Sequence, residues 1–174
     1  MKMLNSKLKN KFKKIKLLIL DVDGVLTDNS LLISDNGVEA KKFNVSDGLG
    51  IYLAKKSGLK VALISGRKSK ATQLRAKELK IKETFFDANK KLIPYQKIRN
   101  KLKIKDKEIA YVGDDLLDIP VLKKVGVPIA VRNSNHLTKK HAAYITEAGG
   151  GQGAVREVID LILKSKRINL EDLI

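Results

Sequence analysis

The apolar positions of this chain change period repeatedly along its length. Short continuous apolar runs occur at Leu17 to Leu20, Val61 to Ile64, Ile109 to Val112 and Val127 to Val131, with a weaker one at Ala143 to Ile145. Runs of this length between turn residues read as strands buried on both faces. Between them the spacing turns helical: Leu49 to Lys56 before Gly58, a stretch capped by Ser69 and reaching about Leu79, Lys91 to Leu102, Leu116 to Val125 before Gly126, and Ala154 to Leu163. Serine before a helix and glycine just past one are the expected start and stop signals. Strands alternating with helices predict βαβ units. The expected fold is therefore a doubly wound (Rossmann-like) α/β domain with a mainly parallel sheet, helices on both faces, and sites at the carboxyl ends of the strands.

Two stretches depart from the alternation. Leu31 to Ile33 and Val38 to Phe43 flank Asp35-Asn36-Gly37, which predicts a projecting β-hairpin that covers the site or pairs with another subunit. Residues 1–16 carry seven lysines and no acid, with Leu4, Leu8, Phe12 and Ile15 at helical spacing. This reads as a basic helical arm laying one apolar stripe on a single domain formed by residues 17–174.

Composition narrows the function. Lys plus Arg exceeds Asp plus Glu by 36 to 19, a formal charge of +17 that would attract any polyanion. The absence of cysteine removes disulfides, thiolate nucleophiles and zinc–thiolate sites. Two histidines, His136 and His141, without a Ser or Asp pattern nearby, do not suggest a triad or a histidine metal site. No apolar run approaches a membrane span, and no leader-type apolar segment precedes the first strand, so the expected compartment is the cytoplasm and no membrane partner is expected.

The chemistry concentrates at predicted strand ends. Leu20-Asp21-Val22-Asp23-Gly24 runs a strand into two carboxylates, a pattern equally open to an ordinary turn. Ser65-Gly66-Arg67 follows the second strand and offers a hydroxyl and main-chain N–H groups to a phosphoryl oxygen. Lys90-Lys91 follows the strand-like Thr84 to Phe86. Gly113-Asp114-Asp115-Leu116-Leu117-Asp118 packs three acids together, which suits either a hard cation such as Mg²⁺ or capping of the helix that follows.

Taken in order, these four elements resemble the haloacid dehalogenase superfamily of aspartate-nucleophile phosphatases. Asn44-Val45-Ser46-Asp47-Gly48 and Gly150-Gly151-Gln152-Gly153-Ala154-Val155-Arg156 extend the likeness to its capless 3-deoxy-D-manno-octulosonate 8-phosphate phosphatases, enzymes of lipopolysaccharide precursor synthesis. Only 43 residues separate Asp21 from Ser65, enough for a hairpin and a helix but not for a large cap domain. The resemblance implies a Mg²⁺-dependent homotetramer that hydrolyses a small anionic phosphosugar through an aspartyl-phosphate. It casts Asp21 as nucleophile, Asp23 as acid and base, and Ser65 and Lys91 as phosphoryl-binding groups. Asp21, Asp23 (through its carbonyl) and Asp114 are cast as metal ligands, with Asp115 and Asp118 behind them. Substrate contacts are expected from Asp23, Asn44, Val45, Ser46, Asp47, Gly48, Tyr52, Arg67, Arg75 and Lys91, although Tyr52 also suits the core and Arg75 a solvated helix face. The glycine cluster suits either a cover for a neighbouring subunit's site or a hinge. Ile119 stands where the family often carries tryptophan. Competing readings are a phosphatase for a nonulosonate 9-phosphate and a non-catalytic nucleic-acid-binding protein on this scaffold; aromatic residues at 5% disfavour nucleic acid as a partner.

Overall fold

The computed structural model describes residues 5–174; residues 1–4, including Lys2 and Leu4 of the expected arm, lie outside the described residues. Helix α1 (Ser6–Lys13) is capped by the Asn5 side chain and buries Phe12. Six strands form one parallel sheet: β1 (Leu17–Leu20), β4 (Lys60–Ile64), β5 (Glu83–Phe85), β6 (Ile109–Gly113), β7 (Val127–Ala130) and β8 (Tyr144–Ile145). Their order is β5-β4-β1-β6-β7-β8. After β1 the chain builds outward on one side through β4 and β5, then crosses to the other side at β6. The C-terminal end of β1 is therefore the topological switch point, where open α/β sheets place their ligands.

Because strand side chains alternate, β1 feeds two cores. Leu18 and Leu20 pack with Val61, Leu63, Ile51 of α2 (Val45–Lys56), Ala76 of α3 (Lys70–Glu78) and the apolar face of α7 (Ala154–Ser165). Leu17 and Ile19 pack on the opposite face with Tyr95 and Ile98 of α4 (Leu92–Leu102) and Val121 and Leu122 of α5 (Ile119–Leu122). A further short helix, α6 (His136–Lys139), lies between β7 and β8.

The hairpin pairs β2 (Leu32–Ile33) with β3 (Glu39–Ala40) antiparallel. Ser34 N donates to Val38 O and Gly37 N to Ser34 O, and Gly37 lies at φ +77°, so the loop has three residues and closes on a left-handed glycine. No second folded unit intervenes between β1 and β4.

Two expectations change. Helix α2 starts at Val45 rather than Leu49, because Asn44 accepts from Ser46 N and Asp47 N and nucleates the helix earlier. The predicted helix over Leu116 to Val125 is instead a single 3₁₀ turn, Leu116–Asp118, followed by the four-residue α5. Asp115 and Asp118 cap that turn reciprocally, and Pro120 sits in the first turn of α5, where its missing N–H costs nothing. The glycine cluster packs within its own chain. Gly151 N donates to Val25 O at 3.0 Å, and a Cβ on Gly150 would collide with the carbonyl of Gly24, so the segment lies against the chain's own β1 turn.

Candidate active site

Strand register assembles the site. Leu20 pairs with Leu63 on one side and Val112 on the other, so the residues that follow emerge together at one sheet edge: Asp21 after β1, Ser65 after β4 and Asp114 after β6. Main-chain bonds hold each in place: Asp21 N donates to Val112 O, Ser65 N to Phe85 O, and Asn135 N to Asp114 O.

Asp21, Asp114 and Asp118 are buried, and each offers an oxygen within 4.8 Å of the others. Lys91, 3% exposed, donates from Nζ to Asp118 Oδ1 at 2.7 Å and lies 2.8 Å from Asp21 Oδ2. Lys90 is exposed, so Lys91 is the lysine that enters the cluster. Asp118 is saturated by donors: Lys91 Nζ, Tyr111 OH at 2.6 Å, Asp114 N at 2.9 Å and Asp115 N at 3.1 Å. The exposed Asp115 turns back to accept from Leu116 N.

One ammonium does not balance three carboxylates. Burial, with Asp118 adding to it and Lys91 opposing, pushes Asp21 up to about 7. Burial and the neighbouring Asp21 and Asp118 push Asp114 up to about 8. Burial pulls the Lys91 ammonium down, but Asp21 and Asp118 outweigh it and hold its pKa above the ordinary lysine value. With Asp118 occupied by four donors, Asp21 and Asp114 are the two carboxylates short of positive charge. Their hard oxygen donors and this charge deficit fit a divalent cation of the Mg²⁺ type. Gly24, at φ +81°, brings the β1 turn so close to Asp114 that a side chain would displace its carboxylate.

The remaining candidates divide. Ser65 is buried, and its Oγ donates to Arg67 O and accepts from Arg67 N. Asn44 spends Oδ1 on the α2 cap and donates from Nδ2 to Gly151 O at 3.3 Å. Val45 and Ser46 are exposed on the first turn of α2. Arg75 bridges Glu78 and the Asn44 carbonyl, lies over the Phe43 ring and fills the space beside Gly48. Arg67 pairs with Glu39 Oε2 at 2.8 Å. Asp47 and Tyr52, also expected at the substrate, have partners within the chain. Asp47 is turned inward and accepts from Arg156 N at 2.8 Å, capping α7, whose own N-cap is a glycine. Tyr52 lies exposed on α2, with Lys56 over its ring.

Known proteins resemble this chain in sequence and in fold. Residues 89–159 match the model of the haloacid dehalogenase-like hydrolases. The Escherichia coli (strain K12) 3-deoxy-D-manno-octulosonate 8-phosphate phosphatase KdsC is 47% identical over 153 residues, covering 88% of this chain and 81% of that one. The chain belongs to the 3-deoxy-D-manno-octulosonate 8-phosphate phosphatase family. Among solved members, the Moraxella catarrhalis phosphatase, in complex with a magnesium ion, a phosphate ion and KDO, superposes with a TM-score of 0.93 at 40% identity and 97% coverage of both chains. The Yersinia pestis phosphatase superposes with a TM-score of 0.93 at 39% identity, covering 94% of this chain and 89% of that one.

In this member of the phosphatase family, three site residues carried no signal in the sequence. Tyr111 lies in a strand that reads as plain core. Glu39 and Lys41 lie on the hairpin, where charge reads as solvated surface. Lys41 Nζ donates to Asp23 Oδ1, a contact visible only once the hairpin is placed over the β1 turn.

Proposed function

We propose that this chain is a Mg²⁺-dependent phosphatase. It hydrolyses 3-deoxy-D-manno-octulosonate 8-phosphate to the free sugar acid and phosphate, in lipopolysaccharide precursor synthesis. The observation that carries this reading is the convergence of Asp21, Ser65, Lys91 and Asp114 at the switch point of a chain 47% identical to KdsC. Asp21 attacks phosphorus and becomes an aspartyl-phosphate; Asp23 gives a proton to the departing alkoxide and then takes one from the hydrolytic water. Ser65 Oγ turns from Arg67 to a phosphoryl oxygen, and the Lys91 ammonium faces the transferred charge. Asp21, Asp114 and the Asp23 carbonyl would hold the cation, with Asp115 and Asp118 behind them. Bound there, it supplies the positive charge that lets a carboxylate approach a phosphate dianion. Asn44 to Ser46, Gly48, Arg67 and Arg75 face the sugar, the arginines offering forked donors to its carboxylate.

The enzyme acts in the cytoplasm as a homotetramer, residues 17–174 forming one domain behind a basic arm. The hairpin supports the oligomer: Leu32 and Ile33 are 63% and 67% exposed on it. Among the described residues no helix is long and apolar enough to cross a membrane. The test is phosphate release over a panel of phosphosugars with Mg²⁺. Selective turnover of the eight-carbon ester, abolished in Asp21→Asn, is expected. Preference for a nine-carbon ester would replace the substrate, and wild-type turnover by Asp21→Asn would overturn the mechanism.

A further inference from the structure

The two acids of the Asp-x-Asp pair are each served by a different buried lysine. Asp21 faces Lys91. Asp23 lies outside the Asp21–Asp114–Asp118 cluster, and its Oδ1 accepts from Lys41 Nζ. The Lys41 side chain is 0% exposed, whereas Lys42, the next residue, is exposed. Glu39 and Lys41 are two apart and so share one face of extended chain. Glu39 Oε1 lies 3.6 Å from Lys41 Nζ, and Glu39 Oε2 accepts from Arg67 Nη2. The neighbouring Ser69 hydroxyl, with Lys41 and Arg67, holds the Glu39 carboxyl below its usual value. A buried ammonium costs stability unless it is paired on every side that matters. Here the pairing runs from the hairpin, through Glu39 and Lys41, to the acid of the β1 turn.

We infer that Lys41 is a positioning residue for phosphoryl transfer: it fixes the Asp23 carboxylate on the leaving-group side, and Glu39 fixes Lys41 to Arg67. The inference rests on the acid–base reading of Asp23. It separates Asp23 from Asp21 by giving each acid its own ammonium, so that only the Asp21 side chain joins the carboxylate cluster. It also makes the hairpin part of the catalytic geometry.

The leaving group provides the test. kcat/KM reports the steps through departure of the alcohol, and p-nitrophenolate departs without being protonated. Lys41→Met should lower kcat/KM roughly 30- to 100-fold on an alkyl phosphosugar, part of the full contribution of a general acid, and less than about fivefold on p-nitrophenyl phosphate. Lys41→Arg should recover most of the loss. Adding Lys41→Met to Asp23→Asn should cost nothing further, since a residue that acts through Asp23 has nothing left to position. Glu39→Gln should give the same leaving-group pattern with a smaller factor, which keeps the test open if Lys41→Met does not fold. Equal losses on both esters, full additivity in the double variant, or unchanged kinetics would overturn the inference. The alkyl ester used is whichever one the wild-type chain turns over, so failure of the octulosonate assignment alone does not count against Lys41.

Discussion

Stripped of divalent cations by a chelator, the chain is expected to lose thermal stability as the pH rises from about 4 to 8. The cause is the charge deficit at the sheet edge. Asp21 moves from 3.8 to about 7 on folding, and Asp114 from 3.8 to about 8. An acid whose folded pKa is raised gives stability that is fully present below the unfolded pKa and is lost as pH rises through the folded one. The two carboxylates share one site, so their protons belong to the pair, and a single group's shift is counted. A rise from 3.8 to about 7 is about 3 pK units, or about 4 kcal/mol at about 1.4 kcal/mol each. For a chain of this size that corresponds to roughly 8 to 16 °C in Tm. Asp47, raised by burial, acts in the same direction. Lys91 does not interfere: its raised pKa gives stability present throughout this window and lost only above the lysine range. Asp28, Glu39, Asp106 and Glu108 are lowered, so their contributions are lost only on more acidic titration. Magnesium binds the ionised carboxylates, so its stabilisation should grow with pH and flatten the profile. Calorimetry across this range, in chelator and in excess Mg²⁺, measures both curves. A Tm that is flat or rising with pH in chelator, or a Mg²⁺ increment equal at both ends, would refute the account.

Three further outcomes are expected. Asp118→Asn removes the charge that four donors share and leaves Lys91 to Asp21 alone; urea unfolding should show a loss of about 3 kcal/mol or more, and an unchanged midpoint would contradict it. Gly150→Ala pushes a methyl into the Gly24 carbonyl and should lower Tm by more than Gly58→Ala, which has open space and only its φ of +82° to strain, at about 1 kcal/mol; equal shifts would mean the segment yields freely. Leu32→Asp combined with Ile33→Asp should reduce the mass seen by light scattering from that of the proposed tetramer to smaller species, and an unchanged mass would remove the hairpin from the interface.

What sequence could and could not reveal follows from the range of the interactions involved. Asp21, Ser65 and Asp114 were legible because each follows a buried apolar run, and a parallel sheet brings such ends together whatever the detailed packing. Lys91 was legible in kind, though only its burial separates it from Lys90. The direction of Asp47 was not legible: the N-cap of α7, Gly153, has no side chain to offer, and the deficit is met by an acid more than a hundred residues earlier in the chain. Nor was Lys41, since nothing local distinguishes it from the exposed Lys42. Part of the basic excess behind the charge of +17 is placed by the fold itself. Basic residues occupy the last turns of α1, α2, α3, α4 and α7, where they complement the negative ends of the helix dipoles. In a parallel sheet with its helices antiparallel to the strands, those ends lie at the foot of the sheet. A cleft of about 330 Å³ there is lined by Lys16, Lys60, Lys103 and Lys166 and by no acid. The carboxylates gather at the opposite edge. The same topology that delivers the acids to the switch point therefore carries much of the positive charge away from it, so the site must draw its compensating charge from two buried lysines and a bound cation.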